Sequence, residues 1–193
     1  MPNNLVSTIV LDIETTQLWA DIGVVLCMSY ESSEEPGVIR TLRSDRLNYR
    51  DWRRGIRGND REIVKQANEV IRNHDIVVAH NGRFFDIPFL RTRAMVHRLA
   101  PLHDMVIVDP VRVARSKLRF KTNRLDNLLR VLELDDQKTP LNLKVWADVM
   151  HNGTASAMDE IVEHCEADVK ALSGLLPLVR PFIKQFDTMG SNR

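Results

Sequence analysis

Two acids, Asp12 and Glu14, stand in an otherwise apolar run, Ile9-Val10-Leu11-Asp12-Ile13-Glu14-Thr15-Thr16-Gln17-Leu18. Side chains two apart share one face of a strand. Asp12 and Glu14 therefore project with Val10, opposite Ile9, Leu11 and Ile13. Paired carboxylates on a core strand repel each other and resist burial, and a bound cation is the simplest compensation. Asp86 stands in Val77-Val78-Ala79-His80-Asn81-Gly82-Arg83-Phe84-Phe85-Asp86-Ile87-Pro88, after a buried strand and at the start of a helix. Ligand sites of α/β sheets collect at such places. Asp168 closes Glu163-His164-Cys165-Glu166-Ala167-Asp168, and a spacing of four puts it on the same helix face as His164.

The elements that carry these residues follow from patterning. Leu5–Asp12, Val24–Tyr30 and Val38–Leu42 read as three strands with short connections, an antiparallel meander, with Thr15–Asp21 a turn or loop. Arg43–Asn59 is the least regular part. Arg61–Asn73 has helical spacing, with Asn59 or Asp60 as its cap. Ile76–Ala79 is a buried strand, Phe85–Leu99 a helix, and Met105–Val108 a fifth strand closed by Asp109-Pro110. Then come a short basic helix or loop (Val111–Leu118), helices over Leu125–Leu134 and Asn142–Met150, and a long one over Ala155–Leu176 that resumes beyond Pro177 and Pro181. This predicts an α/β fold: a mixed five-stranded sheet, three strands antiparallel and then two parallel, flanked by helices.

The 193 residues, 44% hydrophobic, suffice for one domain with a full core. We expect that domain over residues 1–186 and a frayed tail over 187–193. The net charge of +1 excludes a strongly basic nucleic-acid binder, so such binding must rest on a local patch. Cys27 and Cys165 fit no zinc spacing and read as buried free thiols in a reducing compartment. No signal core or membrane-length apolar run is present. The expectation is a soluble, cytoplasmic protein.

Asp12-Ile13-Glu14-Thr15-Thr16, His80-Asn81 through Phe85-Asp86-Ile87-Pro88, and His164 through Asp168-Val169 resemble the three motifs of the DEDD 3′→5′ exonucleases. Arg124-Leu125-Asp126-Asn127-Leu128 resembles the leucine-rich helix those domains carry before the third motif. The resemblance runs from about Val6 to Leu176. It implies a ribonuclease H-like fold and metal-dependent removal of nucleotides from a 3′ end; the motifs do not separate DNA from RNA, and DNA is the first expectation. It also implies that two ions, Mg²⁺ or Mn²⁺, are held by Asp12, Glu14, Asp86 and Asp168. Asp12 would bridge both ions, Glu14 and Asp168 complete one site, and Asp86 serve the other. Carboxylates suit these hard cations, and two of them roughly 3.5–4 Å apart can drive phosphodiester cleavage.

One branch of that family orients the attacking water with a tyrosine four residues before the last aspartate; another uses a histidine five before. Here His164 is four before, and Glu163 is five before. His164 is either the water-orienting base or a histidine that merely hydrogen-bonds a carboxylate. Imidazole suits a base better than a phenol of pKa about 10. Gln17 replaces a glycine common in relatives. Leu18, Asn81 and Phe85 are candidate contacts to the terminal nucleotide, Phe85 by stacking, and Thr15 and Thr16 to its sugar and phosphate. Of the adjacent pair Phe84 and Phe85, one is expected in the core.

Two basic clusters are candidate strand tracks. One is Arg50, Arg53, Arg54 and Arg57 with Trp52. The other is Arg112, Arg115, Lys117, Arg119, Lys121 and Arg124, of which Arg119, Lys121 and Arg124 are the candidate substrate contacts. His74, His97, His103 and His151 read as structural or surface residues. The rival readings are an RNA-directed exonuclease, a catalytically silent nucleic-acid-binding domain, and an endonuclease of the same fold. With no room for a polymerase or helicase module, the chain is expected to act alone, as an oligomer, or with a separate replication or repair protein.

Overall fold

The strand that carries the two acids, β1 (Thr8–Thr15), is the middle strand of a five-stranded sheet. The structure, a computed structural model, describes residues 6–134 and 142–183, so the tail expected over 187–193 lies outside the described residues. On one side of β1 run β2 (Val25–Ser32) and β3 (Ile39–Arg43), each antiparallel to its neighbour. On the other run β4 (Ile76–Val78) and β5 (Val106–Val108), both parallel. This is the α/β sheet that the patterning predicts.

The first strand is displaced from its expected span. It continues past Asp12 because β2 still pairs with it, Glu14 opposite Cys27 and Thr15 opposite Val25. Leu26 is the extra residue between those two pairs, a bulge of the kind that re-aims side chains beside functional sites. Asp12 and Glu14 therefore lie within a paired strand, not at its exit.

Each face of the sheet buries its own side chains. Ile9, Leu11 and Ile13 pack in one cluster with Ile63, Val64 and Ala67 of α3 (Arg61–Arg72) and Ile87 and Leu90 of α4 (Asp86–Val96). Val10 packs on the other face with Ala114 of α5 (Pro110–Lys117), Leu128 of α6 (Leu125–Val131) and Val169 of α8 (Ala155–Val179). Asp12 and Glu14 share the Val10 side of β1, so alternation turns them towards α8. Leu26 and Cys27 join α8 and α7 (Leu143–Asn152) in a third cluster.

Three further expectations are corrected. The stretch read as irregular contains two short helices, Ser44–Leu47 and Tyr49–Arg53. Asp60 occupies the cap position of α3, but its side chain makes no cap bond. It is 1% exposed and is taken up by Arg93, His97 and the Val25 N–H. Finally, α8 does not stop at Pro177 but runs on to Val179, followed by a 3-10 turn over Arg180–Phe182. Proline removes one helical hydrogen bond, and the buried Leu175 and Val179 on either side hold the helix against the core. Among the described residues no helix is long and apolar enough to cross a membrane.

Candidate active site

β4 stops at Val78 while β1 runs on to Thr15. Beyond Val78 the chain turns rather than pairs. Asn81 adopts a left-handed φ of 62°, and its carbonyl accepts from the Phe84 and Phe85 N–H groups at 2.9 and 3.0 Å. Gly82 is required here, because a Cβ would lie 2.3 Å from that of Ala79. The turn delivers Asp86, 2% exposed, at the first position of α4. The backbone of Ile13 on β1 lies close enough to the Asp86 carboxyl to favour its charged form, which places the second acidic motif near the strand of the first.

α8 supplies the third. Its Cys165 thiol donates to the Asp12 carbonyl oxygen at 3.3 Å, which seats the helix against β1. His164, one turn before Asp168 on that helix, lies near both Asp168 and Glu14: its Nε2 is 3.7 Å from Glu14 Oε1 and 3.9 Å from Asp168 Oδ2. The four acids and the histidine proposed from sequence thus come together at the carboxyl end of β1.

Electrostatics confirms that the acids share one field. Asp12 is held well above the usual carboxylate range, first by burial and then by the charges of Asp86, Glu14 and Asp168. Burial pushes Asp86 up to about 7, against the pull of its two backbone N–H partners, and Asp109 adds to the rise. Burial also raises the Cys165 thiol, helped by Cys27, Asp12 and Glu14. Among the described residues no protein cation is among the groups acting on Asp12 or Asp86. Among the described residues no three metal-type ligands are gathered into a ready-made cage. The chemistry of the set nevertheless fits Mg²⁺ or Mn²⁺, since all four acids are hard oxygen donors.

A cleft of about 750 Å³ opens beside Glu14. Thr15, Thr16, Leu18, Ile22 and Phe85 line it, and Trp146 and Met150 of α7 face it. Both threonine hydroxyls are already used: Thr15 Oγ1 donates to Gln17 O at 2.8 Å, and Thr16 Oγ1 accepts from Val24 N at 3.0 Å. Leu18 is 77% exposed. Phe85 packs half-buried on the core and on Phe89, with ring centroids 5.6 Å apart, whereas Phe84 is exposed beneath the Arg112 guanidinium. Asn81 is exposed and outside the cleft lining. So are Arg119, Lys121 and Arg124, on and beside the link from α5 to α6.

In the first basic cluster, Arg57 has structural work. It lies over Trp52 and donates from Nη1 to the Met150 and His151 carbonyls at 3.0 Å, capping α7. Sequence reasoning missed Trp146 and Met150, which have no local motif. It also passed over Asp109, a buried acid that caps α5 and reads in sequence as an ordinary stop before Pro110.

A mixed five-stranded sheet with carboxylates gathered at the carboxyl end of its central strand defines a ribonuclease H-like fold. Residues 9–179 match the family model of the RNase H superfamily, and the chain belongs to that superfamily. The family B DNA polymerase from the hyperthermophilic archaeon Pyrobaculum calidifontis shares the fold, with a TM-score of 0.73 and 14% identity. The match covers 97% of this chain and 27% of the polymerase, so the chain spans about a quarter of that protein's length. No curated protein sequence matches the chain. The fold is a nuclease fold, and RNase H-like nucleases generally use divalent metal ions.

Proposed function

We propose that the chain is a metal-dependent 3′→5′ exonuclease that removes nucleotides from the 3′ end of DNA, single-stranded or fraying. The observation that carries this reading is the meeting of three separate acidic motifs around one point, with His164 within 4 Å of both Glu14 and Asp168. Asp12, Glu14, Asp86 and Asp168 would hold the ions. When bound, two divalent ions neutralise the phosphate and acidify the attacking water.

The chain's own residues do the rest. The α8 backbone carries the His164 ring into the acid group, and its neutral Nε2 takes the proton from the water. Attack at phosphorus breaks the bond to the penultimate 3′ oxygen and releases a nucleoside 5′-monophosphate. Leu18 and Phe85, at the cleft, grip the terminal base, Thr15 and Thr16 shape the pocket for its sugar and phosphate, and Asn81 meets the terminal nucleotide from outside the cleft lining. The basic residues Arg119, Lys121 and Arg124 lie on the track of the remaining strand. The likeness to a DNA polymerase, which works on DNA 3′ ends, favours DNA over RNA. It also favours a role beside a separate replication or repair protein.

A product ladder tests the reading. With Mn²⁺ or Mg²⁺, 5′-labelled single-stranded DNA should shorten one nucleotide at a time, frayed duplex more slowly and RNA least. The Asp12→Ala chain should leave all three intact. Equal shortening by that variant would refute the assignment.

A further inference from the structure

A second pocket opens at the carboxyl end of β5, and it is basic. Arg83, Arg112 and Lys117 line a cavity of about 360 Å³ beside Val108, the last residue of that strand. All three side chains are exposed. Among the described residues no carboxylate pairs with any of them. The one acid among the described lining residues, Asp109, is 5% exposed, and its Oδ1 is occupied in capping α5 through the Val111 N–H at 2.9 Å. The Arg112 guanidinium meets the Phe84 ring, 5.6 Å from its centre, a contact that leaves its charge without a counter-ion.

Three consecutive residues join this pocket to the acidic site. Phe85 lines the cleft beside Glu14, and Arg83 lines the basic pocket. Phe84 stands between them, 65% exposed, with Arg112 against its ring. The Asn81 carbonyl accepts from the N–H groups of both phenylalanines, so the turn holds them in place. Residues two apart in a chain are separated by at most about 7 Å, which is comparable with one nucleotide step. At its other side the pocket reaches Lys117, the last residue of α5, from which the chain leads to Arg119 and Lys121. An exposed aromatic ring among unpaired cations offers a single strand a face for its bases and partners for its phosphates.

We propose that this pocket seats the strand next to the terminal nucleotide: Phe84 stacks the penultimate base, and Arg83, Arg112 and Lys117 bind the phosphates on its 5′ side. The proposal rests on the exonuclease reading above for its polarity. It adds the direction in which the strand leaves the cleft, over the 83–85 turn and along α5.

Fluorescence anisotropy on the whole chain tests it, in Ca²⁺, with a 5′-labelled twelve-nucleotide DNA strand whose last linkage is a phosphorothioate to keep it whole. Arg83→Gln, Arg112→Gln and Lys117→Gln should each weaken binding about threefold to tenfold and lower the slope of log affinity against log salt by about 0.7. Phe84→Ala should weaken binding about tenfold, and Phe84→Tyr should regain most of that. Lys65→Gln, on the exposed face of α3, should change neither affinity nor slope. Neutral methylphosphonates at the second and third linkages from the 3′ end should weaken parent binding and have no further effect on the chain lacking all three cations. Equal weakening by methylphosphonates at the 5′ end would overturn the assigned register. Parent-like affinity and slope in the cation variants would overturn the proposal alone. A parent that binds no single strand would overturn it together with the exonuclease reading. Binding with the expected losses, but no shortening of an ordinary strand in Mn²⁺, would refute the exonuclease reading and leave the strand seat standing.

Discussion

Asp60 and Asp86 are both buried acids, 1% and 2% exposed, and they keep different company. Asp60 receives two nitrogens of the Arg93 guanidinium, with Nη2 at 2.6 Å and Nε at 2.9 Å, together with His97 and the Val25 N–H. Arg93 in turn donates from Nη1 to Ala20 O at 3.1 Å, so the ion pair ties α3 and α4 to the segment that leaves β1. Asp86 has two backbone donors and, around it, more acids. One acid is neutralised from within the fold. The other sits in a group of acids whose charges raise one another's proton affinity. A buried pair of the first kind stabilises only while both partners remain; a set of the second kind stores repulsion that a cation relieves.

This contrast can be broken by substitution. The largest effect is expected from Asp12→Asn: hydrolysis should fall roughly a thousandfold or more, while the metal-free chain melts higher because one repelling charge is gone. A lower Tm would mean that Asp12 is compensated after all. Arg93→Ala should do the opposite, leaving Asp60 buried without its partner. Urea unfolding should show a loss of roughly 3–5 kcal/mol, and any chain still folded should retain its Mn²⁺ affinity. His164→Ala should slow turnover roughly a hundredfold or more and spare binding of single-stranded DNA, read by fluorescence anisotropy. Near-parental turnover would leave His164 as a carboxylate partner only.

The smallest effect is in pH. Asp86, raised to about 7, binds a proton in the folded chain that the unfolded chain, with a pKa near 4, has already lost. Metal-free stability should therefore fall as pH rises from about 4 to about 7 and then level off. Asp12, raised in the same direction, adds to that slope. Saturating Mn²⁺ should flatten it. A metal-free Tm that climbs over that window would contradict the electrostatic account.

The acids were legible because a strand has period two. Asp12 and Glu14 break an apolar alternation, and no packing argument explains both. The make-up of the sheet, three antiparallel strands and two parallel ones, was legible from short connections followed by strand–helix units. Asp60 and Asp109 were not: each precedes a helix, where acids are common as caps, and only the fold shows that Asp60 is claimed by Arg93 and that Asp109 has an oxygen left over. The length of β1 was misjudged because Thr15 is held by pairing across the Leu26 bulge, a tertiary effect with no local sign. The cleft's α7 wall was hidden for a similar reason. Trp146 and Met150 read as ordinary apolar positions, and the brace that sets their helix comes from Arg57, over 90 residues earlier.

The central claim is that four carboxylates from β1, α4 and α8 are arranged to hold divalent cations. Anomalous diffraction from Mn²⁺-soaked crystals of the parent chain tests it most directly. The account predicts two peaks roughly 3.5–4 Å apart, with Asp12 between them and Glu14, Asp86 and Asp168 around them. Saturating Mn²⁺ with no peak among these carboxylates, or with peaks only elsewhere on the surface, would contradict it.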